Sequence, residues 1–151
     1  MNRKLELRLT QEMLEKILEA KIILEESLTL LNYLIEKKVI KKSFEIENFK
    51  ERIDTIKSLI YKISGDYIND KPINKKINNI KEVDEYEINQ FIEESKKINN
   101  KKISLKYRNI LKDNLSIFFD IIRNINIEAI AFQYGKNIYP IEELEDIYKF
   151  I

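Results

Sequence analysis

Apolar residues recur along this chain at intervals of three and four, the spacing that lays side chains along one face of an α-helix. From Thr10 to about Lys38 the row is Leu14, Ile17, Lys21, Leu24, Leu28, Leu31 and Ile35, with Lys21 its one polar member. Thr10 is placed to cap that helix, and Glu12 and Glu15 sit near its positive end, where carboxylates are favoured. A second row, Ile46, Phe49, Ile53, Ile56, Ile60 and Ile63, begins after Ser43, another capping residue type. Gly65 falls just past that row, the favoured place for a left-handed terminating residue. The connector "KKVIKK" is short, so the two helices are expected to run antiparallel.

Asp84 and Glu87 stand in capping-box spacing ahead of Ile88, Phe91, Ile92, Ser95 and Ile98. Ser104 reads as the cap of a long segment whose row is Leu111, Leu115, Phe118, Ile122, Ile125, Ala129 and Phe132, unbroken to Gly135. Ile110, Ile117 and Ile121 widen its buried face, as a bundle helix requires. Pro140 suits the first position of a terminal helix, "PIEELEDIYKFI", with Glu142 and Glu143 in its first turn. Two stretches read less clearly. Residues 66–83 carry Ile73, Ile77 and Ile80 at helical spacing after Pro72, among asparagines that disfavour helix. Residues 1–9 alternate Leu5, Leu7 and Leu9 with Lys4, Glu6 and Arg8, which is the period of a strand.

The expected fold is all-α: an antiparallel helical bundle of about five helices, three of them long, with a short N-terminal strand as the competing reading of residues 1–9. Two glycines and two prolines leave little material for β-turns, which agrees. At 151 residues and 44% hydrophobic the chain makes one domain, 1–151, able to bury roughly 70% of its unfolded surface. Its net charge of +1 provides no global field for nucleic acid or anionic lipid. No run approaches the ~18 apolar residues of a membrane span, since Asp120 breaks "SIFFDII", and no apolar leader follows the N-terminus. A soluble cytoplasmic protein with no membrane partner is expected. Isoleucine, lysine and asparagine are all abundant and all three have A/T-rich codons, so lysine abundance alone is weak evidence for a charged site.

With no histidine and no cysteine, serine triads, histidine-bearing zinc sites and thiolate chemistry each lose an obligatory member. Two isolated glycines cannot build a phosphate-cradling loop. What remains is carboxylates around a hard cation such as Mg²⁺. Glu12, Glu15 and Glu19 share one helix face, and Glu142, Glu145 and Asp146 share another. Such helical carboxylates resemble those of the all-α nucleotide pyrophosphatases, which implies Mg²⁺-dependent nucleotide hydrolysis. In that family the two acidic clusters lie much closer in sequence. The plainer reading is a pair of surface faces matched to helix dipoles and paired with lysines, and no enzyme activity, cofactor or metal is expected.

"KKINNKKISLKYRNILK", residues 96–112, carries seven cations and no carboxylate. Lys96, Lys97, Lys101 and Lys102 lie at a helix end and connector, Arg108 and Lys112 share a face, and Tyr107 is the one interleaved aromatic. A single-stranded nucleic-acid site wants converging cations with aromatics for stacking. Lys106, however, lies about 200° around the helix from Arg108, so the patch is diffuse. A solvated connector is the leading reading. A second candidate surface is C-terminal: Tyr134, Tyr139, Ile141, Leu144, Tyr148, Phe150 and Ile151 gather aromatic and aliphatic side chains beside acidic ones, as protein interfaces do. Its alternative is that the stripe Ile141, Leu144, Tyr148, Ile151 closes the core of its own bundle.

Two family resemblances attach to particular segments. "KLELRLTQEMLEKI" resembles the strand-then-helix opening of ribbon-helix-helix DNA-binding proteins, which implies that Lys4, Glu6 and Arg8 face a DNA groove. Glu6 suits that role poorly, and no turn signal interrupts "EAKIILEESLTLL". "FFDIIRNINIEAIAFQYGK", Phe118 to Lys136, resembles the closing helix of the small helical subunit of type III CRISPR effector complexes, which implies a non-catalytic subunit along an RNA path. That family's glycine-arginine helix ending is not reproduced, because Asp66 follows Gly65. The expected function is a non-enzymatic interaction protein binding a protein partner or larger assembly, with a nucleic-acid-binding subunit as runner-up and a homodimer as a further option.

Overall fold

The structure, a computed structural model, describes residues 10–67, 84–98 and 101–151, with the side chains of 66–67, 91–92, 94–98 and 101–103 outside that description. The elements are α1 (Gln11–Glu36), α2 (Phe44–Tyr67), α3 (Glu85–Ile98), α4 (Lys101–Asn124), α5 (Ile127–Gln133), α6 (Ile141–Leu144) and a terminal 3₁₀ helix (Glu145–Phe150). The fold is an all-α bundle, without a strand among the described residues. The strand reading of residues 1–9 and the short helix read at 73–80 lie outside the described residues.

Three helices start at the caps expected of them. Thr10 Oγ1 accepts from the Met13 amide at 3.1 Å, Ser43 Oγ from Ile46 at 3.2 Å, and Asp84 Oδ1 from Tyr86 at 3.0 Å. Each satisfies an amide that has no partner within its helix, a contribution of ~1 kcal/mol apiece. Ser104 does not cap α4, which begins at Lys101. Gly65 does not end α2 either; the helix runs through it to Tyr67, and Gly135 is the glycine found in the left-handed region, at φ +65°.

Helix α1 is the centre of the bundle, packed on α4 and α2. Tyr61, late in α2, lies beside Lys21 and Glu25 in the middle of α1, and Arg108, early in α4, reaches Val39 just past the end of α1. Both neighbours therefore run antiparallel to it. Two partners require two seams, and this changes the expected row. Ile17, Leu24 and Leu31 are buried as predicted, but Ala20, Ile23, Ser27, Leu30 and Leu34 join them, while Leu14, Leu28 and Ile35 are only partly covered. Ser27 tolerates burial because its hydroxyl donates to the Ile23 carbonyl at 2.7 Å. The α2 row is buried in full, with Leu59 added. Helix α3 lies on α4, and Tyr33 Oη of α1 donates to the Glu85 carbonyl at its start, 3.4 Å away.

The long helix expected from 104 to 135 is broken. Asn126 sits at φ 55°, ψ 60°, between α4 and α5. Asparagine tolerates this left-handed geometry better than other residues with a side chain. The kink re-phases everything after it: Ile127, Ile130 and Ala131 are buried, whereas Phe132, assigned to the core row, is 86% exposed.

The C-terminal segment then returns across α2 and α4. Pro140 is the cap of α6 and not its first residue, and after one turn the helix tightens to 3₁₀ geometry. At three residues per turn, side chains three apart eclipse. Ile141, Leu144 and Ile147 accordingly form the buried row, at 5%, 1% and 2% exposure. The α-helical spacing of the sequence places Tyr148 there instead.

Candidate interaction surface

The basic stretch is largely absorbed by the fold. Tyr107 is 1% exposed, so its ring has no face for a base. Burial, with the Glu87 carboxylate second, pushes its hydroxyl up to about 12. Arg108 is half-buried and donates to the Val39 carbonyl, so it clamps the α1–α2 connector to α4. Lys112 is half-covered, and Lys106 is exposed with its ammonium 5.5 Å from the centre of the Tyr107 ring. The side chains of Lys96, Lys97, Lys101 and Lys102 lie outside the described residues.

The acidic faces do not converge. Among the described residues no three acidic, histidine or cysteine side chains are grouped to hold a metal ion. Glu19 pairs with Lys16 at 3.4 Å, Asp146 with Lys149 at 3.5 Å, and Glu145 with Arg123. The N-terminal resemblance meets a single helix through Gln11–Glu36 where a turn would be needed, and Phe118–Lys136 is divided at Asn126.

The C-terminal candidates split into two sets. Ile141, Leu144 and Ile151 are buried and close the bundle's own core. Tyr148 is half-buried and meets Phe119 edge-on, with centroids 6.0 Å apart at 89°; burial, above all, raises its hydroxyl pKa. Tyr134 is half-buried too. Tyr139 and Phe150 stay outside, at 41% and 40% exposure.

Phe150 lines a groove of about 250 Å³ between the first half of α2 and the 3₁₀ helix, and Tyr139 stands next to it through its contact with Arg52. Phe49, Leu144 and Ile147, all but buried, form its floor, and Phe150 is one wall. The rim is polar: Glu45, Asn48 and Arg52 from α2 face Glu143, Asp146 and Lys149. Arg52 is held twice, by Glu143 at 3.4 Å and by the Tyr139 ring 4.9 Å from its guanidinium carbon. Lys149 is matched by Asp146. Glu45 has no hydrogen-bond or ion-pair partner among the described residues. Phe44, 79% exposed, lies one turn before Asn48 and flanks the same side. Sequence reasoning missed Phe44, although its offset of about 200° from Ile46 on the helical wheel marks it as outward.

The other cleft of note, between Glu26, Tyr33, Glu85, Ile88 and Asn114, has a volume of about 20 Å³ and suits a single water. Comparison of the chain with protein families, with curated proteins and with solved structures returned no match.

Proposed function

We propose that this is a non-enzymatic interaction protein, a helical bundle that binds another protein or a larger assembly at the groove between α2 and the terminal 3₁₀ helix. The supporting observation is the placement of Phe150, with Tyr139 and Phe44 nearby, outside the core and beside an apolar floor ringed by polar groups. Exposed aromatics around such a floor are what protein interfaces concentrate at their centres. The groove is smaller than the ~300–1,000 Å³ typical of small-molecule sites, so it fits side chains better than a cofactor. Nucleic-acid binding, the runner-up, rests on Lys96, Lys97, Lys101 and Lys102, since Tyr107 and Arg108 serve the fold.

A photo-crosslinking amino acid placed at Phe150 in the native host tests this, with the same probe at Ile22, exposed on α1, as the control. The expected result is a discrete protein adduct from position 150 and none from 22. An adduct at twice the chain's mass would identify the partner as a second copy. Nuclease-sensitive adducts, or no adduct at 150, would overturn the reading.

A further inference from the structure

Resting on that reading, we infer that the groove receives a short segment of its partner that carries two apolar side chains about one helical turn apart, beside a lysine or arginine. Shape sets the first part. The buried lining is Phe49 of α2 together with Leu144 and Ile147, which lie one turn apart on the C-terminal segment, and Phe150 is the exposed wall. A cavity of roughly 150 Å³ holds one benzene ring. The groove's 250 Å³ therefore has room for one aromatic and one aliphatic side chain, not for a folded surface.

Charge sets the second part. The lining holds three carboxylates, Glu45, Glu143 and Asp146, against two cations, Arg52 and Lys149. Both cations are engaged by carboxylates of the lining itself. Glu45 is the lining charge left over. It is exposed on the first turn of α2, whose Ile46 amide is already satisfied by Ser43, so its carboxylate is free to meet an incoming cation. A partner carboxylate at the same place would face Glu45 directly, and like charges in contact are disfavoured. The groove thus selects by sign as well as by shape.

The test pans a random-sequence peptide display library against the full chain. The expected enrichment is for peptides with two apolar residues three or four apart and a lysine or arginine alongside. Their binding should be lost with Phe150→Ala, and Glu45→Gln should weaken them about threefold, an effect that fades at high salt, as for an exposed ion pair. With Glu45→Lys the enriched set should turn acidic. Peptides that depend on Phe150 but show no preference for charge would overturn this inference and leave the protein-binding reading intact. Failure to enrich any peptide would overturn the short-segment inference. Failure of the protein-binding reading itself would show separately, as crosslinking at position 150 that yields no protein adduct. Circular dichroism of each variant confirms that the bundle is retained, since Glu45 and Phe150 both lie outside the core.

Discussion

Truncating Ile147 to alanine distinguishes a 3₁₀ C-terminus from the α-helix its sequence spells. Continued α-helical geometry would turn Tyr148 inward and leave Ile147 about 80° from the centre of the inward stripe, at its margin and only partly covered. In the 3₁₀ arrangement Ile147 is 2% exposed and completes the row begun by Ile141 and Leu144. The change removes three buried carbons, about 2.4 kcal/mol at ~0.8 kcal/mol each, before any cavity forms. Adding an unrelaxed cavity gives about 3 kcal/mol. For a chain of this length that lowers Tm by roughly 6–12 °C. Urea unfolding followed by circular dichroism measures it, with an unchanged m-value confirming that compactness is preserved. Phe150→Ala in the same assay should cost under ~1 kcal/mol, because that ring is already 40% exposed. A cost below ~1 kcal/mol for Ile147→Ala would refute the 3₁₀ packing of Ile147.

Further outcomes follow from single contacts. Asn126→Ala should destabilise by ~1 kcal/mol and Asn126→Gly should not, because the left-handed geometry at φ 55° penalises an ordinary side chain and suits glycine; paired urea curves decide it. Ser27→Ala should be tolerated, while Ser27→Leu should cost about 1–3 kcal/mol by overfilling a seam where the site is fully buried. Stability should fall as pH rises from 10 towards 12, because the Tyr107 hydroxyl holds its proton to about 12 in the fold and only to 10.0 when exposed on unfolding. Tyr107→Phe should make that part of the profile shallower, the remainder coming from other tyrosines such as Tyr61, whose hydroxyl is also pushed up to about 12 by its bond to Glu25. Labelled single-stranded RNA at low salt should give no saturable binding in a fluorescence titration; a salt-sensitive isotherm would favour the lysines of residues 96–102 instead.

Much of the bundle was legible because aliphatic spacing and capping chemistry are local. The α2 row was read residue for residue, and Thr10, Ser43 and Asp84 cap where expected. What escaped depends on partners far away in the chain. Sequence spacing traces one seam on α1, but contact with both α2 and α4 adds a second, through Ala20, Ser27 and Leu34. The break at Asn126 leaves the apolar rhythm nearly intact, so periodicity alone carries it through to Phe132. At the C-terminus, Ile141 and Leu144 satisfy both an α and a 3₁₀ period, and only Ile147 tells them apart. The candidate site was half legible for the same reason. Its aromatic richness was visible, but the exchange of Tyr148 for Ile147 in the buried row follows from the change of helical period, and half of the polar rim comes from α2, far away in the chain.

The most direct measurement is the affinity of the protein captured at position 150 for the wild-type chain and for Phe150→Ala, by titration calorimetry at matched salt. The variant, folded and nearly as stable, should bind at least about tenfold more weakly, the effect of losing an aromatic anchor worth over 1 kcal/mol. Equal affinities would contradict this, and would move the binding surface away from the groove.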